Sequence, residues 1–216
     1  MRNKFKLKDH LNRFRTFYEP RDPRVPSALF KAECVKPDLE GFPYPLPSKK
    51  SDYTCCAETP DAVWFGASTG LTRYDKDSER ECDRVMYFSA PRDLPDNNVR
   101  ALLPEGKGIW VLTDKGAAYI EMKPLSTLDK CNMLLAETLK YVDRRGMVSQ
   151  RGLRIPGDLD SMHHYSHSDN DGSFTAGFAM GEVFKYATLK REKGADDPET
   201  LEAKRVATRA VEACLL

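Results

Sequence analysis

The stretch from Pro156 to Gly172, P-G-D-L-D-S-M-H-H-Y-S-H-S-D-N-D-G, gathers three of the chain's four histidines, His163, His164 and His167, among Asp158, Asp160, Asp169 and Asp171. Imidazole and carboxylate at this density suit acid–base work on a sugar. One carboxyl serves as acid, a second as base or nucleophile, and a histidine orients or protonates. The same groups suit zinc or manganese. No second ligand cluster stands elsewhere in the sequence, so acid–base chemistry is preferred and no metal or other cofactor is expected. An EF-hand is excluded, because Asp169-Asn-Asp-Gly lacks the ligand ladder and the closing glutamate. The plainer alternative is structural: D-N-D-G ahead of a helix is N-cap and turn sequence in which Asp171 accepts backbone amides, and the histidines then belong to a surface loop.

Helices must hold this loop. After Pro124, Leu128, Cys131, Leu135, Leu139 and Val142 form a stripe at three- and four-residue spacing, with Ser126 placed to cap its start and Gly146 to take a left-handed position at its end. Phe174, Phe178, Phe184 and Ala187 predict a second helix. Glu192 to Pro198 breaks it, and Leu201, Ala207, Ala210, Val211, Cys214 and Leu215 predict a third, so the last two should form an αα-hairpin. The sequence stops at Leu216 inside an apolar stripe, and the expectation is an incomplete architecture.

Upstream, the chain compares with itself. Ala62 to Asp75 aligns with Gly108 to Glu121 at an offset of 46, setting Trp64 on Trp110 and Gly70 on Gly116; Tyr53 to Ala57 keeps the offset over Val99 to Leu103. Alternating strands with glycine closing a tight turn are strand–turn–strand chemistry, and a period near 40–50 is that of propeller blades. Each indole is long enough to fill the wedge between neighbouring sheets, which makes both tryptophans core residues. Arg84 to Ser89 reads as a further strand, and Pro91 to Asn98 as the loop into the second copy.

Residues 1–50 carry seven prolines between Pro20 and Pro47, which rules out a helix or an interior strand there and predicts an extended arm. Leu29, Phe30, Val35, Leu39, Phe42, Tyr44 and Leu46 are too many apolar groups for a free linker, so the arm should lie along a surface. Before it, residues 1–19 mix apolar and charged positions in a way that fits a short amphipathic helix.

With 34 basic and 33 acidic residues the formal charge is +1, so no global field draws the chain to nucleic acid or to an anionic membrane. No signal peptide and no apolar run of membrane-spanning length is visible, and a soluble, cytoplasmic chain is expected. The cysteines, Cys34, Cys55, Cys56, Cys82, Cys131 and Cys214, show no C-x-x-C spacing and are read as free thiols. Cys55 and Cys56 should sit on a strand and point to opposite faces.

The run V-W-F-G-A-S-T-G-L-T-R-Y-D, then L-P-D-N-N-V-R-A-L-L, then I-W-V-L-T-D-K-G resembles the two-component-regulator propeller repeat of bacterial sensor proteins over about residues 51–122, with Leu112 where that family has glycine. The resemblance implies β-propeller blades and a sensing or scaffold heritage. Two blades are fewer than a closed propeller needs, so self-association or a partner completing the propeller and the helical region is expected. The loop rich in His and Asp that opens into a helix beginning an αα-hairpin resembles the mouth loops of (α/α) toroid carbohydrate enzymes, the glycoside hydrolases and polysaccharide lyases of that fold. The run R-R-G-M-V, then S-D-N-D-G-S-F-T-A-G-F-A-M-G-E-V-F-K-Y-A, is similar to the region that follows propeller repeats in some bacterial proteins of unassigned activity. By that resemblance His163, His167, Asp169 and Asp171 would be catalytic, and Arg144, Arg145, His164 and Tyr165 would bind a saccharide.

The expected fold is therefore mixed α and β in separate regions. An arm occupies residues 1–50, two propeller-type repeats residues 51–124, and a helical, toroid-like region residues 125–216, with the polar loop at 156–172. The expected function is carbohydrate binding or processing. The alternatives are a non-catalytic propeller sensor or scaffold module and, third, a metal-dependent hydrolase.

Overall fold

Each copy of the repeat folds into three antiparallel strands with the same register. In the computed structural model, which describes residues 10–78, 84–155, 158–165 and 168–215, the first copy gives β2 (Tyr53–Glu58), β3 (Ala62–Ala67) and β4 (Gly70–Asp75), and the second gives β6 (Val99–Glu105), β7 (Gly108–Thr113) and β8 (Gly116–Leu125). A register irregularity between Tyr53 and Cys55 recurs between Val99 and Ala101. Two-residue hairpins, Ser68-Thr69 and Asp114-Lys115, close at Ala67↔Gly70 and Thr113↔Gly116.

The glycine after each hairpin is fixed by a neighbour as well as by its positive φ, 143° at Gly70 and 156° at Gly116. A Cβ at Gly70 would meet the Phe88 carbonyl oxygen at 2.6 Å, and one at Gly116 the Tyr18 carbonyl oxygen at 2.6 Å. Phe88 ends β5 (Val85–Phe88), the fourth strand of the first sheet, ordered β2-β3-β4-β5; Tyr18 ends β1 (His10–Tyr18), the fourth strand of the second, ordered β1-β8-β7-β6. The N-terminal stretch thus supplies the strand that the second repeat lacks.

That overturns the short helix expected within residues 1–19, at least over His10–Tyr18. Phe17 packs into the core between the sheets and its neighbour Tyr18 into a cluster on the far side. Consecutive residues on opposite faces are the mark of a strand, and the pairing offered by β8 outweighs the weak helical spacing.

Residues from both sheets build one core, with Cys55, Trp64, Leu71 and Phe88 from the first and Val99, Leu102, Ile109, Val111 and Ile120 from the second. The Thr54 hydroxyl donates to the Val99 carbonyl at 3.0 Å across them. Gly66 is required at this junction, since a Cβ there would lie 2.6 Å from Val99 Cγ1 and 2.7 Å from Cys55 Sγ. Its counterpart Leu112 faces no such crowding and packs half-buried in the cluster around Trp110. Cys55 belongs to the core between the sheets and Cys56 to the cluster on the other face, as adjacent residues of β2 must. Burial pushes the Cys55 thiol up to about 11, which keeps it protonated and unreactive at neutral pH.

The proline-rich arm runs over the two remaining faces. It holds one 3-10 turn, Ser27–Lys31, and is otherwise irregular. Val25 and Leu29 cover Trp110, Ala101 and Ala117 on the second sheet, while Leu39, with Phe42 and Leu46, covers Tyr53, Phe65 and Ala67 on the first. Between these patches the Val35 carbonyl accepts from the Cys56 amide at 2.8 Å, and the Cys34 thiol donates to the Arg100 carbonyl at 2.8 Å. Both tryptophans are buried, Trp64 at 2% and Trp110 at 5% exposure. The indole N–H of Trp64 donates to Thr59 Oγ1 at 3.1 Å and that of Trp110 to Glu105 Oε2 at 2.5 Å.

The chain divides into two compact units, the second spanning Leu125–Leu216. In it, α1 (Thr127–Glu137) is capped by Ser126, whose hydroxyl accepts from the Asp129 amide at 3.1 Å, and passes into a π turn, Thr138–Val142. Two small hairpins follow. In one, β9 (Asp143–Arg144) pairs with β10 (Met147–Val148); in the other, β11 (Arg151–Leu153) pairs with β12 (Met162–Tyr165). Gly146 is left-handed, at φ 98°, but it turns the first hairpin instead of ending α1, which stops earlier through the π turn.

The helices α2 (Asp171–Lys193) and α3 (Pro198–Cys214) pack as the expected pair. Asp197 caps α3 by accepting the Glu199 amide at 2.9 Å, with Pro198 in the first turn. The contact face of α2 is not the phenylalanine stripe. Thr175, Ala179, Glu182 and Leu189 are buried against Ala203, Val206, Ala207 and Ala210, whereas Phe174 and Phe184 are exposed. Small side chains let the two helices approach closely, and that decides which face is buried. No helix among the described residues is long and apolar enough to cross a membrane.

Candidate functional site

The polar loop of residues 156–172 enters the first turn of α2 through Ser168, Asp169 and Asn170. Asn170 stands at the N-cap position, but its side chain makes no capping hydrogen bond. Asp171, the first helical residue, donates its amide to the Ser168 carbonyl at 3.2 Å. Its carboxylate does not serve as a cap: Oδ1 is buried with no hydrogen-bond partner. The positive end of the helix dipole favours an anion there without a counter-ion. Asp169, two residues earlier, is exposed.

Thr175, one turn into α2, fixes this end of the helix. Its hydroxyl donates to the Asp171 carbonyl at 2.8 Å and accepts the Val148 amide at 3.0 Å, tying the helix to β10. The tip of that hairpin carries Arg144 and Arg145, both exposed, with Arg145 in a left-handed conformation at φ 57°. The hairpin base is held to α3, where Asp143 accepts from Arg209 Nη2 at 2.6 Å, and a Cβ on Gly146 would lie 2.8 Å from the Arg209 carbonyl oxygen.

His163 lies on β12 with its ring over β11. A side chain at Gly152 would place its Cβ 2.5 Å from His163 Nε2, so the glycine is what admits the imidazole. Arg151 clamps the same strand, with Nε donating to the His163 carbonyl at 3.0 Å and Nη1 to the Tyr141 carbonyl at 3.1 Å. His164 and Tyr165 fall in β12; their side chains, and the whole of His167, lie outside the described residues.

The loop's other carboxylates are engaged locally. Asp158 caps the 3-10 turn Leu159–Ser161 by accepting the Asp160 amide at 2.9 Å. Asp160 accepts from Tyr141 Oη at 2.7 Å and from Lys140 Nζ at 3.0 Å, hydrogen bonds that hold its carboxyl below the usual carboxylate range.

Nothing in the sequence singled out Arg151, Gly152, Tyr141 or Thr175, which position the loop through backbone atoms and close approach. Their roles become visible only when β11 pairs with β12 and α2 meets β10. A shallow concavity of about 450 Å³ follows one face of α3, lined by Leu201, Lys204, Arg205, Thr208, Arg209 and Glu212. It contains none of the sequence-derived site residues, and its arginines are engaged by Glu202 and Asp143. Among the described residues no group of three or more histidine, cysteine, aspartate or glutamate side chains is arranged to hold a metal ion.

No protein-family model, curated protein or solved structure matches this chain. What the fold defines is a mixed α and β chain in which two four-stranded antiparallel sheets precede a helical pair.

Proposed function

We propose that the chain recognises a saccharide at the N-terminal end of α2, in the manner of a glycoside hydrolase or polysaccharide lyase of the (α/α) toroid type. One observation carries the reading: Asp171 holds a buried carboxylate oxygen without a hydrogen-bond partner at the mouth of an αα-hairpin. Capping was the competing role for this residue, and that oxygen does no capping. A carboxylate at the positive end of a helix and free of internal partners is a ready acceptor for a sugar hydroxyl, or a base toward one. Asp169 precedes it by two residues, Arg144 and Arg145 on the hairpin packed against α2 offer cations to an acidic sugar, and His163 is held on the β11–β12 hairpin. His164, Tyr165 and His167 belong to the same stretch of sequence.

The sheets support a second reading, a non-catalytic propeller-type scaffold or sensor module. The arm covers both outer faces of the sheet pair, which are the faces on which further blades of a propeller would stack.

Titration of acidic and neutral oligosaccharides against the wild type and Asp171→Asn, read as a shift in melting temperature, separates the two. The saccharide reading expects a concentration-dependent rise that the variant loses while keeping its own unliganded melting temperature. A folded wild type that responds to no saccharide leaves the scaffold reading standing.

A further inference from the structure

On the side of α2 turned away from α3, Phe174 is 45% exposed, Met180 59% and Phe184 66%. From Gly172 to Gly181 the helix carries no charge. Gly177 and Gly181 lie on this face, and a Cβ at either would meet nothing within 4 Å. Each glycine weakens an exposed helix relative to alanine, and no packing among the described residues explains either one. Glycine at two positions one turn apart is what a helix needs where another backbone must come close.

The pattern is also self-complementary. Phe174-x-x-Gly177-x-x-x-Gly181-x-x-Phe184 reads the same in both directions about Ala179. At 3.6 residues per turn the glycines lie about 40° apart and the phenylalanines about 80° apart, bisected by one line. A two-fold axis perpendicular to that line and to the helix sets Phe174 at the level of Phe184 of a second copy and Gly177 at the level of its Gly181, so that each pair is met twice, as an isologous contact requires. The charges at the ends agree with this direction. Asp171 is in the first turn, preceded by the exposed Asp169, while the last turn carries Lys190 together with Arg191 and Lys193, which already pair with Glu192 and Glu199. Antiparallel packing sets acidic end against basic end and opposes the helix dipoles; parallel packing would set like against like.

We propose that this face of α2 is the contact between two copies of the chain, packed antiparallel with the glycines at the crossing. Two faces of this size bury on the order of 1,000 Å² in total, at the low end for a specific interface. The contact therefore forms a dimer in concentration-dependent equilibrium with the monomer. It does not rest on the saccharide reading, although Asp169 and Asp171, which that reading assigns to the ligand, stand at one end of the contact.

Sedimentation velocity of the full chain over a wide concentration range tests it. The wild type is expected to shift from monomer to dimer as concentration rises. Phe184→Glu and Phe174→Lys are each expected to abolish the shift, and the two combined in one chain to restore it, because antiparallel pairing brings the opposite charges together twice. Gly177→Leu is expected to raise the melting temperature through better helix propensity while abolishing the dimer, so loss of association is told apart from loss of folding. A wild type that stays monomeric throughout, a dimer that survives Phe184→Glu, or a combined variant that remains monomeric overturns the proposal.

Discussion

Trp64 and Trp110 occupy the same position of the repeat, yet Trp64 faces the neighbouring sheet while Trp110 lies against Tyr18 of the chain's own first strand, their ring centroids 5.0 Å apart. The indole of the second copy keeps its core role by finding a different cover. Val25 and Leu29 of the arm complete that cover, and Leu29 is fully buried.

Leu29→Ala is therefore expected to destabilise the sheet unit by about 2–5 kcal/mol, the usual cost of emptying a buried leucine site. In a Trp64→Phe background, where Trp110 is the remaining indole, its fluorescence should shift to longer wavelength as water reaches the ring. An unchanged spectrum and melting temperature would mean that the arm does not hold this face.

Asp93 ties the N-terminal strand to the first sheet. Its side chain is wholly buried; Oδ2 accepts from Arg13 Nη1 and from Arg92 Nε, each at 3.0 Å, and Oδ1 lies 3.8 Å from Arg15 Nε. Removing one partner of such a cluster costs about 3–5 kcal/mol when charge is left buried; here the arginines are about a third or more exposed, so Asp93→Ala is expected near the lower end. Hydrogen exchange should speed up first along β1 and its neighbour β8. Uniform acceleration across both sheets would argue against a local anchor.

The strands of both repeats were legible in the sequence because alternation, the paired glycines and the offset of 46 all report local geometry. The fourth strand of the second sheet was not, because β1 and β8 are joined only through space and the spacing of Leu11, Phe14 and Phe17 reads as weakly helical. The helical pair was legible from its breaker, Glu192 to Pro198, and from the apolar spacing on either side of it. Its buried face was not: large apolar residues dominate a sequence pattern, whereas close packing selected Thr175, Ala179 and the alanines of α3. For the site, composition marked the loop. It could not reveal that Asp171 leaves an oxygen unpaired or that Gly152 seats His163, since both depend on which backbone lies alongside.

Glu182 is the carboxylate of α2 that the helix pair buries, at 7% exposure. Its Oε2 has no hydrogen bond, and Lys185 Nζ is 4.0 Å away. Burial pushes its carboxyl above the ordinary value of 4.5, against the weaker opposing pull of Lys185. The folded state then holds this proton more tightly than the unfolded chain does. Its contribution to stability is complete below the unfolded value and is lost as pH rises through the higher folded value. Glu182→Gln removes that loss. The variant is expected to melt higher than the wild type at neutral pH, with the gap closing as pH falls toward 4.5. Thermal unfolding followed by far-ultraviolet circular dichroism across that pH range checks it. A gap that stays constant with pH would mean that Glu182 does not titrate differently in the folded chain, and a variant that melts lower at neutral pH would mean that Lys185 stabilises the ionised carboxylate by more than burial costs it.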